Sequence, residues 1–186
     1  MITRRAIEEP ATVDEGQPPG PSQARSPFRE TFDEFYRNNI GSVTGLALVL
    51  SGSRSAAEEL AQEAFLAALT RWDRIGGYDD PRSWMRRVVA NAATSRYRRL
   101  RAEARALLRL DRKEYLIDEG DPDADRLWAA VRGLPPRQAQ VIALHYLDDQ
   151  PVAQIARILD LAEPTVKTHL QRGRSTLADR LGLERT

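Results

Sequence analysis

No cysteine occurs among the 186 residues, which excludes disulfide staples, thiolate zinc sites and cysteine nucleophiles together. Histidine is nearly as scarce. His145 and His169 are the two present; they fall on different helical stretches without carboxylate partners at ligand spacing, so no metal site is expected. The apolar run of about 20 residues that a bilayer span needs is missing. The first residues also lack the apolar core and small-residue cleavage site of a signal peptide, and the expectation is a cytoplasmic chain with no membrane partner. There is no Gly-rich phosphate loop, nucleophile elbow or paired acid/base motif, so no catalytic residue and no cofactor is expected, and an enzyme is not indicated. Finally, no segment alternates apolar and polar residues convincingly, and the chain reads as all-α.

What is present is charge, 30% of the residues, at a net of only +1. The near-neutral total conceals an ordering along the chain. From Trp84 to Arg112 there are nine arginines, at 86, 87, 96, 98, 99, 101, 105, 109 and 112, against Glu103 and Asp111. The sign then reverses through Glu114, Asp118, Glu119, Asp121, Asp123 and Asp125, with Gly120 and Pro122 among them. A basic block followed by an acidic, Pro/Gly-containing one reads as a module and then a flexible linker. Residues 1–25 combine Pro10, Pro18, Pro19, Pro21, Gly16 and Gly20 with few large apolar groups, the composition of a disordered tail. The expected organisation is a tail over 1–25, a first helical domain over 26–110, a linker over 111–124 and a second helical domain over 125–186.

In the first domain, Ser26-Pro27 is expected to start a helix carrying Phe28, Phe32, Phe35 and Tyr36, with a second helix over Ser42 to Leu50. Ser55 to Glu58 has the form of a capping box for a third, whose apolar side holds Leu60, Ala64, Phe65, Ala68 and Leu69. Turn signals at Gly76-Gly77 and Asp79-Asp80-Pro81 precede a fourth helix from about Arg82 to Leu108. In the second domain, Val152 to Arg174 has the spacing of a helix-turn-helix, one short helix, a turn around Asp160-Leu161-Ala162 and a second helix from about Pro164. Val166 and Leu170 then pack on Ile155, Ala156 and Leu159. Thr165, Lys167, Thr168, Gln171, Arg172 and Arg174 face outward, side chains suited to base edges and phosphates in a major groove. Any surface helix can carry such residues, so pattern alone leaves a merely solvated face open.

The stretch LPPRQAQVIALHYLDDQPVAQIARILDLAEPTVKTHLQRGRSTLADRL, residues 134–181, resembles the C-terminal DNA-binding region of bacterial extracytoplasmic-function (ECF) sigma factors of the sigma-70 family. AEELAQEAFLAAL, residues 57–69, resembles the family's polymerase-binding helix, and SWMRRVVANAATSRYRR, residues 83–99, its promoter-melting helix. The three motifs stand in the family's order and spacing. The resemblance implies two helical domains, sigma region 2 and sigma region 4, and the partners RNA polymerase core, through the clamp coiled coil and flap, and promoter DNA, with an anti-sigma factor as a further partner. By the same resemblance Glu59, Leu60, Gln62 and Glu63 dock on core. Tyr78, Asp80, Arg82, Ser83, Arg86, Arg87, Asn91 and Arg98 meet the minus-ten element, and the outward row from Thr165 to Arg174 meets the minus-thirty-five element. Trp84 is either a core anchor or a stacking group.

The chain departs from the family pattern in places. A turn glycine, a serine cap and a small residue are usual where Asp160, Ala162 and Pro164 stand, and an aspartate is usual at Ser95. Asp160 can adopt a left-handed backbone, and Pro164 falls in the first helical turn, where a missing N–H costs nothing. Two other readings remain: a helix-turn-helix regulator acting without polymerase, and a sigma-like decoy for an anti-sigma factor.

Overall fold

Thr31 begins the ordered chain with a reciprocal cap. Its hydroxyl oxygen accepts the Glu34 N–H at 3.3 Å, while the Glu34 carboxylate accepts the Thr31 N–H at 2.9 Å and its hydroxyl at 2.8 Å. The Thr31 backbone and side-chain donors hold the Glu34 carboxyl below the usual carboxylate range. In the computed structural model, which describes residues 30–106 and 122–182, this cap opens α1, Phe32–Ser51. The expected break near residue 41 does not occur. Gly41 and Gly45 each cost about 1 kcal/mol inside a helix, but the buried stripe of Phe35, Val43, Leu46, Ala47 and Leu50 continues through them. The expected start at Ser26-Pro27 and the 1–25 tail lie outside the described residues.

Gly52 ends α1 in the left-handed conformation, φ 75°, with its N–H on Leu48 O at 2.7 Å. The reversal leaves Ser53 extended to cap α2, Arg54–Leu69, by accepting the Ala56 N–H at 3.4 Å. The cap is therefore Ser53 and not Ser55, because the glycine sets where the chain re-enters helical geometry. Ala57, Ala61, Ala64 and Ala68 form a small-residue seam that lets α2 approach α1 closely. After a single turn, α3 (Trp72–Ile75), the Asp80 carboxylate accepts the Ser83 N–H at 3.1 Å and opens α4, Pro81–Ala106. Phe35, Phe65 and Trp72 stack edge to face at the centre of this module.

The second module comprises α5 (Pro122–Arg132), α6 (Pro136–Tyr146), α7 (Val152–Leu159) and α8 (Glu163–Leu181). Val131, Leu134, Ile142, Ile155, Val166 and Leu170 make its core. No strand occurs among the described residues, as the absence of alternation required, and no described helix is long and apolar enough to cross a membrane.

The two modules share one continuous apolar core, α1 packing on α5 and α6, and α4 on α7. Polar contacts tie the seam. Gln140 on α6, 1% exposed, donates to Ala90 O at 2.8 Å and Thr94 Oγ1 at 2.6 Å on α4. Arg132 on α5 reaches Val49 O at 3.4 Å and lies over Gly52, where any Cβ would collide with it. Burial pushes the Arg132 guanidinium below its ordinary pKa, with Asp125 acting the other way. Of the expected linker, residues 111–121 lie outside the described residues, and 122–124 open α5.

Candidate functional site

Three polar surfaces stand on this frame. On α2, Glu59, Gln62 and Glu63 are exposed as the helical period predicts. Leu60 is not: it is 4% exposed and packs in the core, so the expectation that it joins the docking row is corrected. Its place is taken by Leu66 and Leu69, 53% and 50% exposed, which continue the line of Glu59, Gln62 and Glu63 along the same face. Leu69 had been assigned to the buried side. The spacing 59, 62, 66, 69 is the signal that places both leucines outward. Glu59 is not a solitary carboxylate, for Arg96 of α4 donates to it at 2.7 Å. That contact holds one oxygen of Glu59 and leaves the side chain half exposed.

The second surface is the start of α4 with the loop before it. Asp80 and Ser83 bond to each other through side chains at 2.5 Å. Arg82 and Asn91 are exposed, and Tyr78 and Trp84 are half-buried against the core, which favours the anchoring role for Trp84. Arg98 lies within α4, but its side chain is outside the described residues. The remaining members are engaged by the other module. Gln154 of α7 donates to Asp80 Oδ2 at 2.7 Å and to Ser83 Oγ. Asp148 pairs with Arg86 through Nε, and accepts from its Nη2 at 3.4 Å, with both side chains largely buried. Arg87 donates to Ile158 O at 2.7 Å and Arg157 O at 2.6 Å, the C-terminal end of α7, where the helix dipole favours a cation.

The third surface is the helix-turn-helix. Asp160 closes α7 in the left-handed region, φ 55°, and Ala162 precedes α8 with an extended backbone and no side-chain cap. Pro164 lies in the first turn, without cost to the helix. Val166, Leu170, Gly173 and Leu177 face inward; Thr165, Lys167, Thr168, Gln171, Arg172 and Arg174 are exposed. Two of these are already committed. The Thr168 hydroxyl donates to Pro164 O at 2.9 Å. Arg174 folds back on α6, donating to Tyr146 Oη at 2.5 Å and lying over its ring. Its Nη2 also meets His145 Nε2 at 3.4 Å, and because His145 Nδ1 must donate to Gln150 O at 3.0 Å, Nε2 is the acceptor. The projecting part of the row is thus Thr165, Lys167, Gln171 and Arg172. Sequence reasoning missed Arg137 at the start of α6. It acts with Arg172 on His169, whose imidazole is held below its ordinary pKa by burial first and by these two cations second. Arg137 therefore belongs to the same basic face, and the Arg of the Leu-Pro-Pro-Arg-Gln opening was the available signal.

Comparison with known proteins agrees with this geometry. A family model described as sigma-70 region 2 matches residues 35–103, and one described as sigma-70, region 4 matches residues 124–177. The ECF RNA polymerase sigma factor SigM of Mycobacterium tuberculosis is 30% identical over 164 residues, covering 83% of this chain and 79% of SigM. The probable RNA polymerase sigma factor RfaY of Xanthomonas campestris is also 30% identical, over 75% of this chain, but the chain spans only 38% of that longer relative. Among solved structures, the sigma factor RpoE of Bartonella quintana, in complex with the anti-sigma factor NepR, shares the fold with a TM-score of 0.68 at 21% identity, covering 83% of this chain and 98% of that one.

Proposed function

The chain belongs to the ECF branch of the sigma-70 family and is an alternative sigma factor, a non-enzymatic protein that directs promoter-specific transcription initiation, and from that premise we propose which of its surfaces meets which partner. The exposed α2 strip of Glu59, Gln62 and Glu63, bordered by Leu66 and Leu69, docks on the clamp coiled coil of the largest polymerase subunit, and the α5–α8 module sits on the flap. A mixed row of carboxylates and apolar side chains suits a helical partner carrying basic residues beside an apolar seam.

The start of α4 holds the melted minus-ten strand. Extracting a base from its stack costs on the order of a few kcal/mol. Asp80, Ser83 and Asn91 supply hydrogen-bonding groups for the extracted base, and Arg82, Arg86, Arg87 and Arg98 supply phosphate contacts. Thr165, Lys167, Gln171 and Arg172 on α8 read the minus-thirty-five element in the major groove, with Arg137 adding a backbone contact. Arg174 serves differently from the rest of its row: bound to Tyr146 and His145, it fixes α8 on α6. An anti-sigma factor, the class of partner bound to the solved RpoE chain, is a further partner of the two modules.

The observation that carries this reading is the coexistence on one frame of a helix-turn-helix with a projecting basic row and an exposed acidic-apolar strip on α2. Run-off transcription with purified core polymerase on a genomic promoter library tests it. A promoter-specific transcript dependent on the chain is expected, and none at all would refute the assignment.

A further inference from the structure

The surface assigned to the minus-ten strand is occupied from within the molecule. Four of its residues, Asp80, Ser83, Arg86 and Arg87, bond to Gln154, Asp148 and the last carbonyls of α7. The groups on Arg86 and Arg87 have the chemistry of a phosphodiester: an anionic carboxylate on one, and carbonyl oxygens at the negative end of a helix on the other. The amide of Gln154 lies where an extracted base would bond to Asp80 and Ser83. The α6–α7 corner thus satisfies the same donors and acceptors that promoter DNA would satisfy, and both sets of bonds cannot exist together.

The separation of the two promoter elements adds a second argument. Elements centred about 25 base pairs apart lie on the order of 80 Å apart along a duplex, whereas α4 and α7 are in contact. One chain can read both only after its modules part. The fifteen residues between α4 and α5, 107–121, can span at most about 50 Å, enough with the breadth of the modules themselves.

We propose that Asp148 and Gln154 form an intramolecular latch that acts as a stand-in for promoter DNA, holding the minus-ten surface closed until polymerase separates the modules. This rests on the sigma-factor reading above and adds to it a regulatory step that belongs to the chain alone. The latch lowers the apparent affinity for polymerase and promoter by the fraction of chains that are open.

The absence of cysteine makes the test direct, since two introduced thiols carry no background. Spin labels at Ser95→Cys on α4 and Ala153→Cys on α7, both exposed, report the distance between modules by pulsed electron resonance. A short distance is expected in the free chain, giving way to one tens of ångströms longer in the complex with core polymerase and promoter DNA. The double variant Asp148→Ala, Gln154→Ala should populate the long distance without partners and bind core and promoter about fivefold more tightly. A long distance in the free chain, or no lengthening in the complex, overturns the latch, as does unchanged affinity in a double variant that retains its helical circular dichroism. The labelled chain without these two substitutions decides the matter even if the double variant does not fold. Failure of that chain to bind core overturns the sigma-factor reading and the latch with it, whereas binding without separation overturns the latch alone.

Discussion

Lys167 and Arg172 are exposed on α8, and neither is held by a neighbouring helix as Arg174 is. Replacing either with alanine should weaken promoter binding by about 1–3 kcal/mol if it reads a base, or reduce the salt slope by about one if it contacts phosphate. Anisotropy titrations of labelled promoter with the reconstituted polymerase, at several salt concentrations, separate the two. Core binding should be unchanged, and an equal loss there would mean that the module had unfolded. His169 supplies a residue-scale prediction about pH. Its Nδ1 is buried without a hydrogen-bond partner, and its folded pKa is lowered. The unfolded chain therefore binds this proton more readily, and stability is fully present above the ordinary histidine value of about 6.5 and is lost as pH falls through it toward the folded value. Urea unfolding at pH 7.5 and pH 5 should show this decline, and His169→Gln should flatten it.

At the scale of single helices, α8 is the element with the clearest room for improvement. Ala162 has the extended backbone of a cap residue, φ −71° and ψ 143°, but no side-chain acceptor for the Thr165 N–H. Ala162→Ser should supply one, worth about 1 kcal/mol, and raise the thermal midpoint by roughly 2–4 °C for a protein of this size. The opposite effect is expected at Gly173, where α8 crosses α6. A Cβ there would meet Ile142 Cγ1 at 2.9 Å, so Gly173→Ala should lower stability by about 1–3 kcal/mol through overpacking, despite alanine's better helix propensity. Calorimetry of the two variants checks both signs. These effects depend on neighbours in different ways. The missing cap at Ala162 was readable in the sequence because a cap involves residues three apart; the tight crossing at Gly173 was not, because Ile142 is remote in sequence.

The whole molecule behaves as one body if its core is continuous. Gln140 spans the seam from α6 to Ala90 and Thr94 on α4, and Arg132 spans it from α5 to α1. A single cooperative thermal transition is expected for the full chain. Gln140→Ala removes a buried, fully used amide and should cost about 1–3 kcal/mol. Combined with Arg132→Ala, it should split the calorimetric trace into two transitions, one for each module. The sequence placed two modules in the right order, yet nothing in their composition announced that α1 would pack on both.

By itself the sequence determined the helices, the turn at Asp160, the outward row of α8 and the acidic row of α2. Each depends on periodicity and capping among residues within about four positions of one another. Local reading erred where a neighbour intervened: Gly52 moved the α2 cap to Ser53, and helix packing turned Leu60 inward and left Leu69 outside. Only the tertiary structure decided which basic side chains are engaged. Arg86, Arg87 and Arg174 look like Arg82 and Arg172 in the sequence, but the first two are bound by residues 62 to 71 positions away and the third by residues 28 and 29 positions away. Such contacts follow from how helices cross and from the entropy of closing long loops, which no local pattern encodes.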